Sequence, residues 1–311
     1  MGSRRTASQV ALGHRNLSVP NRTSIVSVCY NSSRVLRGFL ASIPQGTTII
    51  LVDNGSADLA ATRALAQSHH ALLITNETNV GFGSACNQGA AASNREFLFF
   101  VNPDSILQAT TIEHLEAAAD AKPDASAFNP LITDSRGKPS LKRRSCLLKM
   151  GASMGRIAPK SDRPVPVLTG AGLFLRKQTF ELISGFDENI FLYHEDDDIS
   201  MRLRKQIGPT WLIHDARMMH LSGHSSGRSA HIAALKAWHM GRSLVYVTLK
   251  HNVSGAFRKA LWSSWRQLLS PATLLSKRKF YKNRAFLQGV LSARRDGGAG
   301  YRTDPQSINR R

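Results

Sequence analysis

Six carboxylates fall within residues 187–198, a stretch that ends in His194-Glu195-Asp196-Asp197-Asp198. The chain around them is strongly basic, with 41 Lys and Arg against 21 Asp and Glu and a formal net charge of +20. Acid concentrated against that background suits a divalent metal, a general base or a hydroxyl-rich substrate. It equally suits the start of a helix, where negative side chains meet the positive end of the backbone dipole. If the segment is helical, successive side chains diverge by about 100°, so at most one of Asp196, Asp197 and Asp198 can face a given substrate.

Three further polar clusters could take part in chemistry: Tyr30-Asn31-Ser32, Asp53-Asn54-Gly55-Ser56 and Asn102-Pro103-Asp104-Ser105. Each is made of ordinary turn and N-cap residues. Each also closes an apolar, β-rich run, at 23–30, 48–53 and 97–101. Helical patterns at 32–43, 58–68, 84–93 and 109–121 alternate with these runs and with a further strand at 71–75. Alternation at this spacing predicts a largely parallel α/β sheet, and in such sheets ligands bind beyond the carboxyl ends of the strands.

The second half is less regular. Residues 134–166 are rich in Lys, Arg, Ser, Pro and Gly and read as an irregular loop region. Residues 167–176 regain strand character around Gly170-Ala171-Gly172, the acidic segment opens a helix running to about 205, and 210–213 is a short strand. In that helix Asp198 and Arg202 stand four apart, the spacing of a same-face pair. Helices follow at 231–251, 255–269 and 277–295. The middle one gathers Phe257, Leu261, Trp262, Trp265, Leu268 and Leu269 on one side, with Arg258, Lys259 and Arg266 elsewhere, as in a basic amphipathic helix.

Composition narrows the function classes. At 311 residues with 42% hydrophobic residues, the chain can build a substantial core. Cys29, Cys86 and Cys146 are scattered, which suggests neither a disulfide framework nor a zinc motif and fits reduced thiols in a cytoplasmic setting. No apolar run has the length of a membrane span, and the first residues lack the apolar stretch of a secretory signal. Residues 216–295 contain no Asp or Glu but 15 Lys and Arg. Such a region seeks a polyanion, either nucleic acid or an anionic bilayer. No nucleic-acid-binding motif accompanies it, so a peripheral position on the membrane is the expectation and nucleic acid is not an expected partner. The expected organisation is a flexible arm at 1–21, a catalytic unit at 22–230, a basic helical extension at 231–295 and a flexible tail at 296–311.

The order of motifs resembles the family 2 glycosyltransferases of the GT-A fold, in particular the bacterial rhamnosyltransferase-like branch that builds cell-surface glycans. The likeness covers roughly 23–250. It rests on Val26 through Asn31; Val52-Asp53-Asn54-Gly55-Ser56; Asn79-Val80-Gly81-Phe82-Gly83 with Asn87 and Gly89; Asn102-Pro103-Asp104; Thr169-Gly170-Ala171; Gly185-Phe186-Asp187-Glu188; Tyr193 through Asp198 with Arg202; and His220 with Ser225.

The resemblance implies a mixed, mainly parallel sheet flanked by helices, with a C-terminal helical extension. It implies inverting transfer of rhamnose or a similar hexose from a nucleotide-diphosphate donor, dTDP-rhamnose or a UDP-sugar. The acceptor would be a hydroxyl of a cell-surface glycan or of a polyprenyl-linked acceptor. Val28, Tyr30, Asn31, Asp53, Asn54, Gly81, Asn87 and Asn102 would line the donor, with Asp53 accepting from the imide N–H of a pyrimidine base. Asp104 and His220 would hold Mg²⁺ or Mn²⁺, His224 being a rival for the second place. Asn102 stands where the family's DxD motif has its first carboxylate, which leaves fewer charges for the metal. Asp196 would be the base, with Asp197 and Asp198 as alternatives if the register slips by one or two. Gly170, Ala171, Glu195 and Asp198 would meet the acceptor. A nucleotide-sugar-binding relic without transfer activity is the competing reading, and the lost carboxylate is its only support.

Overall fold

The computed structural model describes residues 22–148, 154–155, 159–221 and 229–295. The arm at 1–21, the tail at 296–311, His224 and Ser225 lie outside the described residues. In chain order the elements are β1 (Thr23–Cys29), α1 (Ser33–Ala41), β2 (Thr48–Asn54), α2 (Leu59–Ser68), β3 (Leu72–Asn76), α3 (Phe82–Ala91), β4 (Phe97–Val101) and β5 (Ser105–Leu107). Then come α4 (Thr111–Ala121), β6 (Ala127–Thr133), β7 (Arg163–Val165), β8 (Gly172–Arg176), α5 (Lys177–Leu182), α6 (Glu195–Gln206) and β9 (Thr210–His220). Four helices complete the described chain: α7 (Ala230–Lys250), α8 (Ala256–Leu268), α9 (Pro271–Leu274) and α10 (Lys277–Arg295).

One sheet runs β3-β2-β1-β4-β8-β6-β9-β5, with β7 added against β9. The β3-β2-β1-β4 half is parallel, as the alternating pattern predicts, and β6 also pairs in parallel with β9. Strand β8 enters antiparallel between β4 and β6. Both faces of the sheet are covered, which is why β4 reads Phe-Leu-Phe-Phe-Val without polar alternation. Phe97 and Phe99 face the core under α1 and α4, while Leu98 and Phe100 face the one under α3 and α6. Phe100 packs edge-on against Phe186 at 5.3 Å, which anchors the segment leading into the acidic stretch.

The strand expectations need correction at several points, among them the short β5 and β7, the latter inside the stretch expected to be an irregular loop. Strand β6 was not anticipated, because Asn129-Pro130 reads as a turn. Here the Asn129 side chain bonds the backbone of Thr169 and Gly172, and Pro130 sits at a register shift against β9, where a missing N–H is tolerated. Strand β9 continues seven residues beyond the expected 210–213, up to His220. Residues 167–171 form a turn rather than a strand, and β8 begins only at Gly172.

Helices α7 and α10 cross closely at Gly241 and Gly289. A Cβ on Gly241 would run into the Phe286 carbonyl, and one on Gly289 into the Trp238 carbonyl. Around them Val245, Ala260, Val290 and Ala293 form a small buried core. Among the described residues no helix is long and apolar enough to cross a membrane.

Candidate active site

The residues expected on the donor side gather at the carboxyl ends of β1, β2 and β4. Asp53 is paired in register with Cys29 and fully buried. Its Oδ1 accepts from the Ser56 N–H at 2.9 Å, while Oδ2 is enclosed with no hydrogen-bond partner among the described residues. Burial, with the Asp53 charge beside it, pushes the Cys29 thiol up to about 12, so this cysteine stays protonated. Asn31 takes a positive φ of 53° and accepts from the Ala57 N–H at 2.8 Å, fixing the β1–α1 turn against the β2–α2 turn. Tyr30, 44% exposed, stands on the same rim.

Two expected donor residues serve instead to hold the frame. Asn54 accepts from Asn76 and from the Val80 N–H, and donates to Asn79 and to the Gly81 carbonyl. Asn87 closes a two-way bond with the backbone of Phe186, at 2.9 Å each way. Both amides are committed within the protein, so their expected ligand contacts give way to positioning roles. Gly81, at φ 91°, lets the chain pass so close to Phe191 that a Cβ would lie 2.8 Å from its carbonyl oxygen.

Asp104 and His220 come together although 116 residues apart, because β5 pairs antiparallel with β9, with Ser105 opposite His220. Nε2 of His220 lies 3.0 Å from Asp104 Oδ1 and 3.3 Å from the Asn102 side-chain nitrogen. A buried carboxylate, an imidazole and an amide form a donor set that suits Mg²⁺ or, with its nitrogen, Mn²⁺. Lys236, on α7, is near enough for the Asp104 charge to act on it, although burial dominates and lowers its pKa.

The Asn102 N–H donates to the Ala171 carbonyl, and the Gly170 N–H lies 3.3 Å from Asp196 Oδ2. The Thr169–Ala171 turn thus links the Asp104–His220 pair to the start of α6. Asp196 Oδ1 pairs with Lys142 at 2.5 Å, and the same ammonium reaches Asp197 Oδ1 at 2.8 Å. Burial works to lower the Lys142 pKa, but the two carboxylates outweigh it and raise it. Lys142, Arg144, Tyr193 and Asp196 border an open groove of about 450 Å³. Sequence reasoning missed Lys142, which lies in an irregular segment whose only signal was its basic composition.

The other acidic residues divide by function. The Glu195 carboxyl turns inward, with Oε2 enclosed, and burial followed by the Asp196 charge pushes it up to about 8. Asp198 is fully buried. Its Oδ2 pairs with Arg202 at 2.8 Å and its Oδ1 with Lys250 at 2.7 Å and His251 at 2.8 Å. Asp187 takes Lys250 at 2.6 Å and the Tyr246 hydroxyl at 2.9 Å. The expected acceptor role of Asp198 therefore fails geometrically, since both oxygens are occupied by an ion cluster that docks α7. His194 and Tyr193 both hold φ near 67°, a left-handed conformation that costs about 1–3 kcal/mol per residue and is concentrated at functional sites.

Comparison with known proteins identifies the family and the fold. The sequence profile of Glycosyl transferase family 2 matches residues 24–182. Over 272 residues the chain is 30% identical to an N-acetylglucosaminyl-diphospho-decaprenol L-rhamnosyltransferase of Mycobacterium tuberculosis, covering 76% of this chain and 87% of the relative. A mannosyltransferase from Pyrobaculum calidifontis, solved with GDP-Man and Mn²⁺, superposes with TM-score 0.56 at 13% identity over 88% of this chain and 87% of that one. GalNAc-T7 with UDP, GalNAc and Mn²⁺ superposes with TM-score 0.56 at 14% identity over 88% of this chain and 56% of that one. The chain belongs to glycosyl transferase family 2. It has the GT-A fold and is a glycosyltransferase, similar to the rhamnosyltransferase members of that family.

Proposed function

We propose that this glycosyltransferase moves a rhamnosyl or similar hexosyl residue, with inversion, from a dTDP- or UDP-linked donor to a sugar hydroxyl on a polyprenyl-diphosphate carrier. The name of the mycobacterial relative supports the sugar and the carrier. The observation that carries the mechanism is the position of Asp196, whose carboxylate borders the groove and is joined through Gly170 and Ala171 to Asn102, beside Asp104 and His220.

In this reading the orphaned Oδ2 of Asp53 receives the imide N–H of the base, a ring donor that adenine and cytosine lack. Asp104 and His220 hold the divalent metal, which when bound supplies charge to the departing diphosphate. An acceptor hydroxyl is too weak an acid to ionise alone near neutral pH, so its proton must pass to a carboxylate as it attacks the anomeric carbon. Lys142 covers Asp196 Oδ1, and Oδ2, held among the described residues by the long Gly170 contact alone, is the oxygen left to receive that proton. Inversion follows from a single displacement with no protein nucleophile. Residues 22–230 form the catalytic unit. The basic helices from 231 onward hold it at the cytoplasmic face of a membrane, where a lipid-linked acceptor resides.

The test is a transfer assay with a panel of nucleotide sugars, run beside thermal-shift measurements with Mg²⁺ and Mn²⁺. Asp196→Asn is expected to keep donor-dependent stabilisation while losing transfer by about 10²–10⁴-fold, the usual worth of a general base. Full activity in that variant would remove Asp196 from the mechanism. Equal stabilisation by adenine-based donors and by uracil- or thymine-based donors would remove Asp53 from base recognition.

A further inference from the structure

One cluster at the groove is not used by the transfer chemistry. The Cys146 Sγ lies 3.6 Å from His194 Nδ1 and 3.8 Å from Asp197 Oδ2, and Nδ1 and Oδ2 are 2.8 Å apart. These are a sulfur, an imidazole nitrogen and a carboxylate oxygen, all within 4.8 Å of one another. A tetrahedral zinc ion, with bonds of about 2.3 Å to sulfur and about 2.05 Å to nitrogen and oxygen, spaces such atoms about 3.6, 3.6 and 3.4 Å apart. The two sulfur edges are already near those lengths. Only the His194–Asp197 edge must open, by about 0.6 Å, as its hydrogen bond is replaced by bonds to the ion.

We propose that Cys146, His194 and Asp197 form a zinc-class cation site, distinct from Asp104 and His220, that regulates access to Asp196. Four observations converge on it. The ligands come from two separate segments, the irregular stretch that carries Lys142 and the start of α6, so an ion there would tie one to the other. Lys142 occupies Asp197 Oδ1 and Asp196 Oδ1, which leaves Asp197 Oδ2 as the oxygen turned to the cluster. All three ligand residues line the open groove of about 450 Å³, so a fourth position is available to water. The charges also favour a cation: a Cys146 thiolate, Asp196 and Asp197 outnumber Lys142 and Arg144 on the groove.

Ligand chemistry sets the selectivity. Thiolate and imidazole favour zinc over Mg²⁺, which prefers oxygen and keeps its waters; Asp104 and His220 offer no sulfur, so a thiolate band reports on the Cys146 site alone. Binding expels the Cys146 thiol proton to solvent as the S–metal bond forms. The ion would lock the 142–146 stretch beside Asp196, across the groove that the acceptor must enter. Zinc is therefore expected to inhibit transfer, a consequence that rests on the function proposed above. The binding itself does not.

Cobalt(II) serves as the spectroscopic probe. Titrating the full chain with Co²⁺ in the presence of Mg²⁺ should give a thiolate-to-cobalt charge-transfer band and intense visible bands of four-coordination, saturating at one equivalent. One equivalent of Zn²⁺ should abolish them. Zn²⁺ should also slow alkylation of Cys146, read by peptide mass mapping after long exposure at alkaline pH, since burial and the Asp197 charge push this thiol up to about 12; Cys29 and Cys86 are buried. Cys146→Ser should lose the charge-transfer band and weaken Zn²⁺ binding by at least about tenfold. Wild-type transfer, where measurable, should fall on adding one equivalent of Zn²⁺, with a smaller fall in Cys146→Ser relative to that variant's own rate. Absence of the band in the wild-type chain, or its survival in Cys146→Ser, overturns the site. A band without inhibition overturns only its regulatory role. The wild-type titration and the alkylation map need no variant to fold.

Discussion

In the proposed mechanism Asp53 and Asp196 put the same functional group to different uses, and burial separates them. Asp53 is sealed, with one oxygen fixed by the Ser56 N–H and the other enclosed without a partner among the described residues. An acceptor left unsatisfied in that way costs about 1–3 kcal/mol, which a bound imide N–H would return. Asp53→Ala is therefore expected to weaken nucleotide binding about 5- to 150-fold by calorimetry, without an equal loss of apo stability. Unchanged affinity would show that the base lies elsewhere. Asp53 and Asp104 were legible as candidates because they close apolar runs, and His220 only through the family resemblance, since the strand end that carries it was hidden. Lys142 was not, since its pairing with Asp196 depends on a long, irregular excursion without periodicity. Asp198 was misread for a related reason: the Arg202 spacing was visible, but Lys250 and His251 reach it from another helix. His239 carries a pH prediction. Burial, aided by Arg242, brings its imidazole down to about 4 from 6.5, and it stacks on Phe191 at 4.4 Å. The unfolded chain binds that proton first, so the stability this group contributes is present above about 6.5 and is lost as pH falls towards 4. Thermal melts of His239→Phe should show a flatter decline over that window than wild type. Parallel curves would mean that His239 is not buried in neutral form.

The elements most open to sequence reading were those whose apolar pattern has one explanation. β1, β2, β4 and α10 fall within a residue of expectation because they are apolar runs or strongly helical stretches bounded by turn residues. β6 and the upper half of β9 were hidden, since Asn129-Pro130 and His214-Asp215 look like breaks and are tolerated only because side chains and a register shift absorb them. That lost half of β9 is what delivers His220 to Asp104. The α7–α10 crossing makes a quantitative prediction. Gly to Ala inside a helix ordinarily stabilises by about 0.5–1 kcal/mol. At Gly289 the added methyl would meet the Trp238 carbonyl across the interface, so the sign should reverse. Gly289→Ala is expected to destabilise by about 1–3 kcal/mol, the usual cost of overpacking, as read in urea melts. Any stabilisation would mean the helices are not in this contact. Because α7 is pinned to Asp187 and Asp198, separating the two helices should also lower transfer activity.

At the scale of the whole molecule, charge and apolar surface coincide on the C-terminal helices. The expected single apolar side of α8 splits in two: Phe257, Leu261 and Leu268 pack inward, while Trp262 (72% exposed), Trp265 and Leu269 point outward. Leu274, Leu275 and Tyr281 extend the exposed set on the following turn and helix, among Lys277, Arg278, Lys279 and Lys282. Indole rings beside lysines and arginines match the interface of an anionic bilayer, where each basic residue near the surface contributes about 1 kcal/mol. The arrangement separates two contributions that a vesicle experiment can resolve. Co-sedimentation with vesicles containing anionic lipid should be strong at low salt. It should weaken as the Debye length contracts from about 10 Å at 0.1 M to about 3 Å at 1 M. A Trp262→Ala, Trp265→Ala pair should lose binding at every salt concentration, since it removes inserted area and leaves charge unchanged. Binding that ignores both salt and the tryptophan pair would rule out this surface as the docking face and leave the enzyme to meet its acceptor from solution.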